Sequence, residues 1–227
     1  MLRKLIFPIV LGVAGCATLI SLGNWQVQRL AWKEGVLAQI DARLQSDPAP
    51  FSTDVTEEAD EYSRVTVQGT PTGDELHVLV SGTTAGTGYR VISRFETDLG
   101  PILLDQGLLA LEDKDLPAPS GPIEIKGTLL WPDDLNNSTP DPDLAANIWF
   151  ARNVETMSAH LDTLPFMVVV SDARPADPRL TPLPVTTAAI KNDHLEYAIT
   201  WFLLAAVWAI MSLYLIGRTL RQKQTDD

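Results

Sequence analysis

The sequence predicts an α+β protein in which two transmembrane helices flank a domain built on an antiparallel β-sheet or small barrel plus a few helices. Three observations lead there: an apolar run at each end of the chain, a series of short β-branched segments separated by Gly/Pro turns, and two amphipathic stretches of helical period between the runs. Tyr197 to Gly217 is 21 residues without a charge, and an α-helix needs about 20 apolar residues to cross a bilayer core of about 30 Å. At the other end, Leu5 to Leu22 gives 18 uncharged residues, extendable through Gly23 and Asn24 to an interfacial Trp25. The implied organisation is a cytoplasmic N-terminus over 1–4, a first span over 5–24, a domain over 25–195, a second span over 196–217 and a cytoplasmic tail over 218–227. Arg3 and Lys4 precede the first span, and Arg218, Arg221 and Lys223 follow the second. The positive-inside rule therefore puts both termini in the cytoplasm and the domain outside.

The segment from 24 to 195 holds 12 Lys and Arg against 26 Asp and Glu, a net charge of −14 within a chain of net −12. Such a surface repels nucleic acid and anionic lipid headgroups, keeps the domain soluble beside the membrane, and favours basic partners. At 172 residues it can bury a core without disulfides. The only cysteine, Cys16, lies in the first apolar run, which excludes a domain disulfide, a CxxC pair and a thiolate copper site. Val13-Ala14-Gly15-Cys16 also reads as a lipoprotein cleavage site. However, Ala17 to Leu22 continue apolar where a cleaved signal would give way to polar sequence, so the first span is expected to stay. The N-terminus lacks an Arg- and Ser-rich amphipathic leader, and a bacterial inner membrane with a periplasmic domain is the simpler assignment.

Along the chain, Trp25 to Leu44 places Val27, Leu30, Leu37, Ile40 and Leu44 at spacings of three, four or seven, a helix continuing from the first span until Asp47-Pro48-Ala49-Pro50 ends it. After an acidic linker, strands are expected at Tyr62 to Val67, Glu75 to Val80, Tyr89 to Phe95, Ile102 to Leu104, Ile123 to Leu129 and Phe166 to Val170. Turns fall at Gly69 to Gly73, Ser81 to Gly88, Pro117 to Pro122 and Trp131 to Asp143. Trp149 to Leu161 sets Phe150, Val154, Met157 and Leu161 on one helical face. From Ala173 to Thr187, prolines at 175, 178, 182 and 184 predict a stiff irregular strap.

Four blocks resemble one known family. Asn24-Trp25-Gln26-Val27-Gln28-Arg29-Leu30-Ala31-Trp32-Lys33, Tyr62 to Gly69 (YSRVTVQG), Gly88-Tyr89-Arg90-Val91-Ile92 and His194-Leu195-Glu196-Tyr197-Ala198-Ile199-Thr200-Trp201-Phe202 are similar, in sequence and order, to the signature blocks of the surfeit locus protein 1 family. The resemblance spans Trp25 to Trp201 and implies a non-enzymatic factor for assembly of a haem–copper, aa3-type cytochrome c oxidase. It further implies action where haem a enters the catalytic subunit, with bacterial members resembling haem a-binding proteins; a haem a synthase is left open as a further partner. One block departs from the pattern: Leu104-Asp105-Gln106-Gly107-Leu108-Leu109 stands where the family has an Arg-Gly-Trp-type ending.

The residues support a cofactor reading of their own. Haem iron takes an axial imidazole, and a porphyrin needs an apolar, aromatic slot. His194, one of three histidines, sits at the mouth of the second span; Tyr197 and Trp201 follow it at i+3 and i+7, Trp208 continues the stripe, and Trp25 lies at the outer end of the first span. The site expected is thus His194 as axial ligand to haem a iron, with Tyr197, Trp201 and Trp25 as slot walls. A structural reading stands beside it, because Trp and Tyr collect at membrane interfaces as amphipathic rings, and Asp193 with Glu196 has the pattern of a helix cap. Arg29, Trp32 and Lys33 form a basic and aromatic patch that suits a haem propionate, another subunit or interfacial anchoring. His77 and His160 have no ligand-type residue at metal spacing, and Gly82 to Gly88 fits neither a dinucleotide fingerprint nor a P-loop. No nucleophile elbow or zinc-protease helix occurs, so an enzyme is the weakest of three classes, behind a haem a carrier and a cofactor-free assembly scaffold.

Overall fold

The first apolar run and the amphipathic stretch after it form one helix, α1 (Leu2–Leu44, 43 residues), as their continuous spacing predicts. The computed structural model describes residues 2–188 and 190–224, with side chains over 6–188 and 190–221. Arg3, Lys4 and Lys223, which contribute to the sidedness reading, have side chains outside the described residues. After α1 come β1 (Ala49–Pro50), the short α2 (Glu57–Asp60), β2 (Arg64–Thr83), β3 (Gly86–Glu96), β4 (Ile102–Leu109) and β5 (Ile123–Leu130). Then follow α3 (Val154–Leu161), β6 (Met167–Arg174), β7 (Leu180–Thr181) and α4 (His194–Gln224). The class is α+β, and the two terminal helices are long and apolar enough to cross a membrane. Two compact units result: Met1–Gln39 with Ala188–Asp227, and Ile40–Thr187.

In the second unit the strands close on themselves. β2 pairs with β3, β3 with β4, β4 with β6, β6 with β5, and β5 again with β2, so five strands make a small barrel with β1 and β7 added to its edges. The β4–β6 and β1–β2 pairs are parallel and the rest antiparallel, so the expected small barrel is closed by a mixed sheet. Closure depends on β2, whose residues 64–69 pair with β5 and whose residues 70–83 pair with β3. The change of partner falls at Gly69, where a Cβ would lie 2.1 Å from the Glu96 carbonyl oxygen, and at a bulge between Pro71 and Glu75 that includes Gly73 at φ +88°.

The alternation of β4 explains the two cores. Ile102 and Leu104 face the barrel interior with Phe95, Ile125, Leu129 and Val168, whereas Leu103 and Met167 face outward onto Trp149, Val154, Met157 and Leu161 of the α3 region. Helix α3 begins where the Asn153 side chain accepts the Thr156 N–H at 2.8 Å, and Asp162 ends it in the left-handed region at φ 51°. Arg94 then donates to the Leu161 carbonyl at 2.7 Å, satisfying an acceptor of the last turn.

Four expectations need correction. Residues 64–67 and 75–80 belong to one bent strand, which starts at Arg64 rather than Tyr62, because the glycines and Pro71 bend the ladder without ending it. The helix expected from Trp149 starts at Val154, since Trp149 instead exchanges backbone hydrogen bonds with His77 and Leu79. The strand expected at Ile102 to Leu104 runs to Leu109, so the divergent block is a central strand. Nor is the proline strap wholly irregular: β6 extends to Arg174, and Leu180–Thr181 pairs with β4.

Candidate functional site

Small residues bring α1 and α4 together within the helix-pair unit. Gly12 lies opposite Ser212, Trp208 packs over Gly15, and Phe202 packs over Gly23, so the helices run antiparallel. A Cβ at Gly15 would sit 2.2 Å from the Trp208 indole nitrogen, and one at Gly23 2.7 Å from the Phe202 ring. Ala198 and Ala205 are the buried residues facing them on α4, and the Trp208 N–H donates to the Gly12 carbonyl at 3.2 Å. Close backbone approach through small residues is how helices associate where no hydrophobic effect drives them. Pro8, Gly12, Trp208 and Met211 line an apolar cleft of about 170 Å³ along this pair.

A polar side-chain pair also lies in the seam. His194, the first residue of α4, places Nδ1 2.7 Å from Oε1 of Gln26, which is only 8% exposed. An amide oxygen can only accept, so Nδ1 is the donor in this contact, and in the neutral ring Nε2 then keeps its lone pair. The ring is half-buried. Lys33 donates to the Lys191 carbonyl near the same end, and the Arg29 guanidinium stacks 4.2 Å from the Trp32 ring centroid. Asp193 precedes α4 and accepts the Tyr197 N–H through its main-chain carbonyl at 3.2 Å.

The aromatic residues expected to wall the slot are placed differently from one another. Trp201 is half-buried, whereas Trp25 is 52% and Tyr197 56% exposed, and no ring pairing joins the three among the described residues. The structure brings His194 to Gln26, not Trp25 to Trp201. Sequence reasoning passed over Gln26, although a signal was present: it continues the spacing of Gly12, Cys16, Leu19 and Gly23, so it is a polar residue on the small-residue face of α1.

The barrel unit holds different polar chemistry. Asp105, fully buried on β4, accepts from Arg90 Nε at 2.5 Å, from Arg152 Nη1 at 3.4 Å and from the Gly107 N–H at 3.3 Å. Arg90 also donates to the Leu183 carbonyl and Arg152 to Asp134. Burial opposes the charge on Arg152, and Asp105 and Asp134 overcome that, raising the guanidinium above its ordinary value. A second set ties Arg179 to Glu75 at 2.9 Å and Asp177 at 2.8 Å. His77 is buried in β2 with Glu75 Oε2 3.5 Å from Nε2, and His160 is exposed on α3, edge-on to Trp149. A cavity of about 620 Å³ is lined by Glu75, Arg94, Trp149, His160 and Asp162 among others. Among the described residues no group of three or more His, Cys, Asp or Glu could hold a metal ion.

A barrel of five strands with an apolar helix on either side in the sequence, and a histidine at the start of the second, defines the class. Residues 13–206 match the SURF1 family, and the chain belongs to it. It is 28% identical over 215 residues to a SURF1-like protein of Monosiga brevicollis, covering 86% of this chain and 82% of that one. It is 26% identical to surfeit locus protein 1 of Rattus norvegicus over 213 residues, covering 84% and 69%, and 26% identical to that of Homo sapiens over 215 residues, covering 83% and 71%.

Proposed function

We propose that this protein is a non-catalytic assembly factor for an aa3-type cytochrome c oxidase, which holds haem a at the membrane interface and passes it to the oxidase catalytic subunit. The observation that carries this reading is the His194–Gln26 contact: with Nδ1 engaged at 2.7 Å, the half-buried ring offers Nε2 as an axial donor at the head of an apolar helix. Haem a is the cargo, and its iron supplies only the acceptor orbital for that nitrogen. Trp201 lies on the same helix within two turns of His194, and Trp25 and Tyr197 offer exposed aromatic faces to the macrocycle. Arg29 and Lys33, one and two turns beyond Gln26, suit its propionates. The membrane is the bacterial inner membrane, with both termini cytoplasmic, the barrel periplasmic and haem a synthase as a docking partner.

Protein purified from cells making haem a tests the reading. His194→Ala is expected to abolish or strongly shift the haem a absorption spectrum while the protein stays in the membrane, and His77→Ala and His160→Ala are expected to leave it unchanged. A normal spectrum from the His194 variant overturns the site. If wild-type protein carries no haem under any condition, a cofactor-free scaffold for an oxidase intermediate replaces the carrier.

A further inference from the structure

We propose that Gln26 is the positioning residue of the haem site, fixing the tautomer and orientation of His194 and, as a neutral acceptor, keeping the iron–imidazole bond weak enough to release its cargo. The inference rests on the reading of His194 as an axial ligand, and it assigns a task to a residue that touches neither iron nor porphyrin. Gln26 is almost fully buried on a face it shares with Gly12, Gly15, Cys16, Leu19 and Gly23, where its side chain has one use among the described residues. That use is the contact at 2.7 Å to Nδ1.

Two consequences follow from its chemistry. A free neutral imidazole distributes its proton between the two nitrogens, and any fraction with the proton on Nε2 cannot bind iron through that nitrogen. An acceptor locked onto Nδ1–H removes that fraction and fixes the ring plane. The kind of acceptor then sets how strongly the ring donates: a carboxylate at this position pulls the Nδ1 proton and raises ligand basicity, whereas an amide oxygen does so only mildly. A resident haem benefits from the first arrangement. A carrier that must let go benefits from the second.

The test uses full-length protein in detergent, titrated with haem a. Gln26→Leu is expected to weaken binding by about 10- to 100-fold, the usual loss when an outer partner of a metal-bound histidine is removed. Gln26→Glu is expected to restore binding to wild-type strength or beyond, to slow transfer to apo-oxidase, and to lower the reduction midpoint of the bound iron. Thermal unfolding of the unloaded variants separates positioning from packing: a loss of affinity in Gln26→Leu that Gln26→Glu does not rescue, with a matching fall in unfolding temperature, overturns the proposal. Nitrogen-15 shifts of His194 in unloaded wild-type protein at pH 8 give a readout independent of haem. A proton on Nδ1 with bare Nε2 is expected, together with a tautomer mixture in Gln26→Leu. A proton on Nε2 in the wild type overturns the proposal whatever haem does. In the same titration, equal haem binding by His194→Ala and wild type defeats the axial-ligand reading rather than the tautomer assignment, which the nitrogen shifts decide alone.

Discussion

The barrel and the helix pair each bury a polar group in an apolar setting, and they treat it differently. Asp105 is met by two arginines and a backbone amide, and each arginine has a further acceptor of its own, at Leu183 or Asp134. Its environment is electrostatically closed, so the carboxylate holds β3, β4 and the segments around Arg152 and Leu183 in register. His194 has one nitrogen engaged and the other without a partner among the described residues. Burial costs free energy in both cases, but only the second leaves a valence over for chemistry. On the function proposed above, this difference separates scaffold from site where residue type does not, since both groups are side chains of the kind that active sites use.

The comparison breaks most visibly at Asp105. Asp105→Ala takes from two guanidiniums the carboxylate they share, and removing one partner of a buried ionic set costs about 3–5 kcal/mol. Urea unfolding of the full-length protein in detergent, followed by tryptophan fluorescence, is expected to show a loss of that size, with Trp131 and Trp149 reporting from the barrel cores. Haem a binding per folded molecule should stay unchanged. A variant that keeps its stability but loses haem would reverse the assignment of scaffold and site.

A smaller effect is expected at the helix seam. Gly15→Leu drives a side chain into the Trp208 indole, where even a Cβ would come within 2.2 Å. Overpacking of this kind costs about 1–3 kcal/mol. Cys16 is a built-in reporter, half-buried with its sulfur 3.9 Å from the Ala205 carbonyl. Its alkylation by a maleimide should accelerate several-fold as the seam loosens. Gly217→Leu, at a glycine with open space around its Cβ direction, is the control and should leave the rate unchanged.

What the sequence revealed, and what it concealed, follows from the range of the forces involved. The terminal helices were legible because composition alone decides them, and His194 was legible from its place at the start of an uncharged run. Strands β3 and β5 showed their period directly. By contrast, Gly69-Thr70-Pro71-Thr72-Gly73 has the residues of a turn, yet the same conformational freedom serves a bend inside β2 once two different strands pair with its halves. The meeting of Arg152 with Asp105 joins residues 47 apart and leaves no local signal. The Leu104 to Leu109 block looked only divergent, but Gly107, at φ +110° with the Thr181 carbonyl 2.3 Å from a would-be Cβ, is where β7 crosses close to β4. Gln26 was visible as a letter and invisible as a partner, because its role depends on which residue of α4 stands opposite.

The smallest expected effect concerns Glu61, a carboxylate between the two extremes. Partial burial raises its pKa above the ordinary 4.5, and Glu57 adds to the rise, while a hydrogen bond with Tyr62 and the charge of Arg43 pull the other way without cancelling it. In the window above pH 4.5 the folded state therefore holds more proton at this position than the unfolded chain. Its contribution to stability is fully present below that pH and is lost as pH rises through the folded-state value. Glutamine at this position has no proton to lose. Glu61→Gln should thus gain in urea midpoint relative to the wild type on going from pH 4 to pH 7, by a small margin because the group is largely solvated. A Glu61→Gln variant whose midpoint falls relative to the wild type at neutral pH would mean that Arg43 and Tyr62 satisfy this carboxylate after all, placing it with Asp105 among the closed polar groups of the barrel.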